Sequence, residues 1–407
     1  MRVEIINTGT ELLLGRVTNT HLAFLAQSLL GLGLRVERQV TVPDGVAITE
    51  ALSEAMTRAD LIIITGGLGP TSDDITREAA AAAFGRKLIF HPEILDGIAA
   101  KFARRKIAMN ELQRPQAMVP EGGVVLDNAS GTAPGLIVAN EKTVAILLPG
   151  PPRELRPMWE NEALPWLRQR FADRLPPIYE VNLRTLGLGE TKVQLLVEAD
   201  IKALGPVEVG YCARPGAEVD LRLISPDENL TRQAGALARA KLADVIYAEG
   251  IETMEEVVVR LARAASKTVA TAESCTGGSV ANRITNVSHS SEMFRYGWVT
   301  YANEAKMSEL GVPVALLEKH GAVSAEVAQA MAEGALRGSG ADIAVAITGI
   351  AGPTGGTPEK PVGTVYFALA TKNGKTQTLN RTLTAQREIF KYTASQIALD
   401  LVRRALI

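Results

Sequence analysis

Three short runs set the limits on what this chain can fold into: "DLIIITGG", "KTVAILLPG" and "DIAVAITG". Each is almost wholly apolar for the length of a strand and then breaks into glycine or Pro-Gly. A strand with one face in water alternates polar and apolar side chains, whereas one buried on both faces is apolar throughout. Helical patterns fill the intervals. Asn19 can cap a helix with Leu22, Leu25, Ala26 and Leu29 on one face, and "ITEALSEAMTRA" and "SAEVAQAMAEGALRGSG" also read as helices. Buried strands separated by helices predict parallel sheets covered on both sides. Ligands bind such sheets at the carboxyl ends of the strands, where the Gly-rich turns fall here.

The pattern occurs in two places. The first α/β domain is expected over residues 1–170, with a helix starting near Ile75. From Phe171 the texture changes to "ADRLPPIYEVNLRTLGLGE", proline-broken and then β-like. A small α+β module is expected over 171–250, with strands near Glu180–Thr185, Glu208–Cys212 and Asp220–Ile224 and helices near Lys192–Ala199 and Thr231–Ala243. It concentrates no chemical groups and reads as a spacer or dimerisation module. The second α/β domain is expected over 251–407, closing with a helix from about Arg387. The expected fold class is α/β: two α/β domains with largely parallel sheets, joined by a small α+β module.

Acids and bases are mixed along the chain and the net charge is −2, so the electrostatic footprint of nucleic-acid binding is missing. The two cysteines, Cys212 and Cys275, match no metal spacing and no disulfide framework, which suits a reducing compartment. No apolar run approaches the length of a membrane span, and "MRVEIINTGTELLLG" begins as a strand rather than a signal peptide. The expectation is a cytoplasmic protein with no direct nucleic-acid or membrane contact.

Two stretches carry candidate chemistry. In "TGGLGPTSDDITREAA", Gly66, Gly67 and Gly69 leave amides able to approach phosphate oxygens. Asp73 and Asp74, just ahead of a helix, suit either a hard cation such as Mg²⁺ or a helix cap. Glu11 and the loop "GTAPG" add polar or Gly-rich groups at further strand ends. In "AESCTGG", three nucleophiles stand side by side: Ser274, Cys275 and Thr276, followed by Gly277 and Gly278. A cysteine nucleophile needs a histidine or local positive charge, and neither His289 nor His320 can be matched to Cys275 from sequence. A serine can use a neutral, buried lysine instead. Lys306 is a candidate, three residues after Asn303 and just beyond Tyr301, though most lysines on such helices are solvated. The Gly-rich loop containing Thr348, Gly349 and Gly352 is suited to anion or ribose contact, and Arg387 to a bidentate grip on phosphate.

Read together, "GTELLLGRVTNT", "TGGLGPTSDDITREA", "GTAPG" and "LPGPPRE" resemble the N-terminal half of the competence/damage-inducible protein A (CinA) family, itself similar to the MogA/MoaB molybdopterin-binding fold. "AESCTGG", "YANEAK", "GAVS", "TGIAGPTGGTPEKPVGTVY" and "QREIF" resemble the C-terminal domain of that family. The resemblance implies that the C-terminal domain deamidates nicotinamide mononucleotide (NMN) with Ser274, Lys306 and Tyr301, and that amides of Thr276, Gly277 and Gly278 stabilise the oxyanion. It implies ADP-ribose hydrolysis to AMP and ribose 5-phosphate in the N-terminal domain. Asp73, Asp74 and Glu11 would then face a divalent metal, Co²⁺ or Mg²⁺, with K⁺ as a further ion, and the deamidase would need no cofactor. A homodimer is also implied. This chain departs from the family pattern at His21, at Pro149-Gly150-Pro151-Pro152 and at Lys391, where Asn, PGVP and a second Arg are frequent. Two alternatives from other classes are a non-catalytic nucleotide- or pterin-binding N-terminal module and an accessory protein of DNA uptake or recombination.

Overall fold

In the computed structural model, which describes all 407 residues, the first unit, Met1–Ile178, is organised by strands β1 (Val3–Thr8), β2 (Val36–Val42), β3 (Leu61–Thr65), β4 (Leu88–Phe90), β5 (Met118–Pro120), β6 (Val124–Leu126), β7 (Gly135–Ala139) and β8 (Val144–Leu148). Six of them form one sheet in the order β2-β1-β3-β8-β7-β6, and β4 pairs with β5 apart from it. Strands β2, β1, β3 and β8 run parallel, while β7 and β6 add antiparallel at one edge. The doubly buried reading of the apolar runs is visible residue by residue. Ile5 and Ile63 pack on one face with Leu25, Leu29 and Trp159. Ile6, Ile62 and Ile64 pack on the other with Ile48, Leu52 and Ala80.

The second unit, Tyr179–Ile407, holds two sheets. Strands β9 (Tyr179–Leu186), β10 (Glu208–Arg214), β11 (Glu218–Ser225) and β12 (Ile246–Glu249) make an antiparallel sheet in the order β10-β11-β9-β12. The helices Glu190–Leu204 and Glu228–Leu242 bury Val193, Val197, Ala234 and Ala238 against it. Each element of this module runs longer than its sequence pattern, and β12 carries too few residues to read as a strand alone. Both sheets, from residues 171–250 and 251–407, fall within this one unit.

The last sheet joins β13 (Val269–Glu273), β14 (Phe294–Val299), β15 (Ile343–Gly349), β16 (Thr364–Thr371) and β17 (Gln377–Thr382) in the order β14-β13-β15-β16-β17. Its first three strands are parallel and the last two antiparallel. Continuous apolarity marks burial on both faces but is silent on strand direction, so the antiparallel edges are a finding of the structure. The faces differ in size. Val269, Val345, Ile347 and Phe367 meet the helices Met254–Ala264 and Arg387–Leu406. Ala270, Ala272, Ala344, Ala346 and Ala368 line the other face, where small side chains admit the helix Ala325–Ser339 closely. A Cβ on Gly334 of that helix would stand 2.0 Å from the Leu310 carbonyl oxygen. Leu310 ends the helix Asn303–Leu310, which carries Lys306. Gly334→Ala therefore forces two backbones apart and is expected to cost roughly 1–3 kcal/mol by urea denaturation.

Candidate functional site

Ser274 follows directly on β13, and its amide still bonds the β15 backbone at Ile347 O, 3.0 Å away. The next residues leave the sheet in a tight loop, with Gly277 and Gly278 at φ of 62° and 91°, a region that disfavours any side chain. The helix Ser279–Thr285 begins at once. Its first amides are held by Glu273, a fully buried carboxylate that accepts from Val280 N at 3.1 Å and Ala281 N at 2.9 Å. Glu273 thus ties the loop's exit back to its entry. The sequence signal for it was an acid standing shortly before a Gly-Gly helix start, but such an acid is ordinarily read as part of its own strand.

Lys306 lies under this loop. It is 1% exposed. Its Nζ donates to Ser274 Oγ at 3.2 Å, to Thr300 O at 2.8 Å and to Tyr301 O at 3.3 Å. Burial lowers its pKa below that of an ordinary lysine, because a low-dielectric site penalises the charged amine. Lys306 is therefore a buried group aimed at the serine and not a solvated surface residue. Asn303 does not share its surroundings: it is exposed at the start of the same helix.

Cys275 is buried, and burial pushes its thiol up to about 12. A thiol in that state supplies little thiolate near neutrality. Neither histidine faces it. His289 Nδ1 sits 3.0 Å from Glu292 and His320 Nδ1 3.4 Å from Glu326. Thr276 is fully buried with its hydroxyl unpartnered. Among the loop amides expected to stabilise an oxyanion, Gly277 N is already committed to Ser274 O at 3.0 Å, whereas Gly278 N meets no backbone acceptor.

Tyr301 meets Lys306 through its carbonyl. Its hydroxyl, on a largely exposed side chain, accepts from Arg387 at 2.9 Å. Arg387 also donates to Gly352 O at 2.8 Å, which fixes the Gly-rich loop between β15 and β16. One turn on, Lys391 approaches the Ser274 loop: a Cβ on Gly277 would stand 3.5 Å from its Nζ. Two cations thus flank the pair. Thr348 is turned away, its hydroxyl donating to Ala322 O at 2.7 Å, and adjacent Gly349 admits the β16 backbone, since a Cβ there would stand 2.8 Å from Thr364 O. Their part is to hold the loop.

In the N-terminal unit, the carboxyl ends of β1, β3 and β8 converge. Thr65 Oγ1 donates to Asn7 Oδ1 at 3.1 Å, and His21 Nδ1 lies 3.3 Å from Thr65 Oγ1. Burial and nearby Arg156 lower the His21 pKa and favour the neutral ring. A Cβ on Gly150 would stand 3.7 Å from Gly66 Cα, so the two Gly loops adjoin. Gly66 and Gly67 are fastened by Thr76, whose hydroxyl donates to Gly66 O at 2.9 Å and whose amide donates to Gly67 O at 3.0 Å. Arg77, 1% exposed and not foreseen in the sequence, lies beneath them and donates to Leu68 O at 2.9 Å.

Asp74 accepts from the amide of Thr71 at 2.9 Å and from its hydroxyl, and Thr71 also lowers the Asp73 pKa by hydrogen bonding. Glu11 is exposed on the short helix Thr10–Leu13 that follows β1. No group of three His, Cys, Asp or Glu side chains is placed to hold one ion. Asp73, Asp74 and Glu11 therefore do not make a shared ligand set, and Asp74 works as a brace of its turn. Gly69→Ala tests that brace. Its Cβ would stand 2.4 Å from Asp74 Oδ2, so the variant is expected to displace the turn and to cost roughly 1–3 kcal/mol by urea denaturation.

No helix is long and apolar enough to cross a membrane. Residues 4–169 match the family model "Probable molybdopterin binding domain" and residues 251–406 match "CinA C-terminal domain". A CinA-like protein of Akkermansia muciniphila is 47% identical over 401 residues, covering 98% of this chain and 96% of its own length. A CinA-like protein of Kosmotoga olearia is 44% identical over 414 residues, covering 100% and 99%. The solved structure of the competence/damage inducible protein CihA from Agrobacterium tumefaciens is 41% identical, covers 38% of this chain and 94% of its own, and has a TM-score of 0.36.

Proposed function

We propose, from the premise that this chain belongs to the CinA family, that its C-terminal domain hydrolyses NMN to nicotinate mononucleotide and ammonia. The observation that carries this reading is the 3.2 Å bond from the buried Lys306 amine to Ser274 Oγ, with no histidine beside either cysteine or serine. Neutral Lys306 takes the Ser274 proton as Oγ attacks the carboxamide carbon. The oxyanion forms beside the Gly278 amide. The proton passes to the leaving nitrogen, ammonia departs, and water hydrolyses the acyl-serine through the same lysine. The Thr300 and Tyr301 carbonyls hold the amine in place throughout.

The flanking cations support a phosphorylated substrate. Arg387→Ala is expected to raise KM for NMN by roughly tenfold to a hundredfold, while leaving KM for nicotinamide riboside, which has no phosphate, nearly unchanged. Equal losses on both substrates would remove Arg387 from the phosphate.

For the N-terminal unit we propose nucleotide binding at the joined ends of β1, β3 and β8, with ADP-ribose as the substrate to test. Hydrolysis and binding without turnover are separated by AMP release from ADP-ribose with Co²⁺ or Mg²⁺ and K⁺ supplied. If hydrolysis follows the family expectation, AMP release appears only with added divalent cation and stops on chelation. Retained ADP-ribose with no AMP under every metal would favour the non-catalytic module.

A further inference from the structure

One buried polar network has no part in that chemistry, and it centres on Glu218 of β11. The side chain is 4% exposed. One carboxylate oxygen accepts from the Tyr247 hydroxyl of β12 and from Gln396 at 2.8 Å; the other accepts from the Tyr392 hydroxyl at 3.1 Å. Gln396 in turn accepts from Arg283, which also donates to Ser395 Oγ at 2.8 Å and to Glu255 at 2.6 Å. The Arg283 guanidinium lies 4.8 Å from the centre of the Tyr392 ring. The turn before Glu218 rests on the same ring, since a Cβ on Gly216 would stand 3.0 Å from Tyr392 Cε1. Removing one member of so buried a network leaves several donors without acceptors.

The helices it reaches are those that frame the serine. Arg283 stands on Ser279–Thr285, immediately after the nucleophile loop. Tyr392, Ser395 and Gln396 stand on Arg387–Leu406, just beyond Arg387 and Lys391. Ser274 and Lys306 are held by other groups: Ile347, Thr300 and the helix Asn303–Leu310. We infer that Glu218 is a positioning residue, setting the first turns of the helix Arg387–Leu406 against the nucleophile loop through Tyr392 and Gln396. The four-stranded sheet, whose sequence reads as a spacer or dimerisation module, then contributes to affinity for the anionic end of a nicotinamide nucleotide. This rests on the deamidase reading above.

The test compares Glu218→Ala and Glu218→Gln in the full-length protein. Glu218→Ala is expected to raise KM for NMN about tenfold with kcat changed less than about threefold. Glu218→Gln restores most of the affinity, because its amide oxygen still accepts from Tyr247 and Gln396 while Tyr392 can accept from its NH₂. KM for nicotinamide riboside stays level across the three proteins. An unchanged NMN KM in folded Glu218→Ala, or equal losses on both substrates, overturns the inference. Hydrogen exchange over residues 387–396 reads the same link without turnover. It is expected to be about tenfold faster in Glu218→Ala and near wild type in Glu218→Gln. Unchanged exchange overturns the link whatever the activity. Faster exchange in a protein whose wild type leaves NMN intact would retire the deamidase reading and keep the mechanical link.

Discussion

Ser274→Ala is expected to lower NMN deamidation by about 10⁴-fold or more, the scale on which loss of a nucleophile acts in serine hydrolases. Cys275→Ala, one residue on, is expected to keep activity within about tenfold. The contrast follows from two environments in one loop. Ser274 Oγ has an amine 3.2 Å away whose pKa is held down by burial. The hydrogen bonds of that amine go to Ser274, Thr300 and Tyr301 rather than to Cys275, and burial raises the Cys275 thiol to about 12 despite the nearby amine. Cys275→Ala loses some packing, so stability falls slightly while chemistry persists. A rate assay on both variants checks it, and activity that survives Ser274→Ala but not Cys275→Ala would transfer the nucleophile to sulfur.

Lys306→Met is the second large effect. With the base gone, kcat is expected to fall by about 10³-fold or more. In the wild type, only the neutral amine accepts the serine proton, so kcat/KM rises with pH through the Lys306 pKa and then levels. Burial places that limb below the ordinary lysine value of 10.5. The stability effect has a matching sign. The folded pKa lies below the unfolded one, so the folded protein gains stability as pH rises from the first value to the second, and loses it as pH falls back. The melting temperature of Lys306→Met relative to wild type is therefore expected to be most favourable at low pH and to decline as pH rises through the Lys306 pKa. A difference that does not vary with pH would mean that Lys306 titrates alike in both states.

Much of this architecture is legible in the chain, for identifiable reasons. Burial on both faces shows in the uninterrupted apolar runs, and β3, β8 and β15 sit where those runs fall. Strand direction at the sheet edges does not show, because antiparallel β7 and β16 are as apolar as their parallel neighbours. At the site, residue types could be chosen but distances could not. Ser274 and Lys306 are separated by 32 positions, and Arg387 and Tyr301 by 86. No local pattern connects them. The structure links Tyr301 to Lys306 through the backbone and gives the phenol to Arg387. Glu273 and Glu218 escaped notice because a single acid in a strand carries no signal of which amides or hydroxyls it meets.

The most direct measurement is the stoichiometry of the wild-type reaction. Purified full-length protein is incubated with NMN, and ammonia and nicotinate mononucleotide are quantified together. Release of both in a one-to-one ratio, without added metal, is the result this account expects. Intact NMN, or loss of NMN with nicotinamide released in place of ammonia, would contradict a Ser274–Lys306 amidohydrolase.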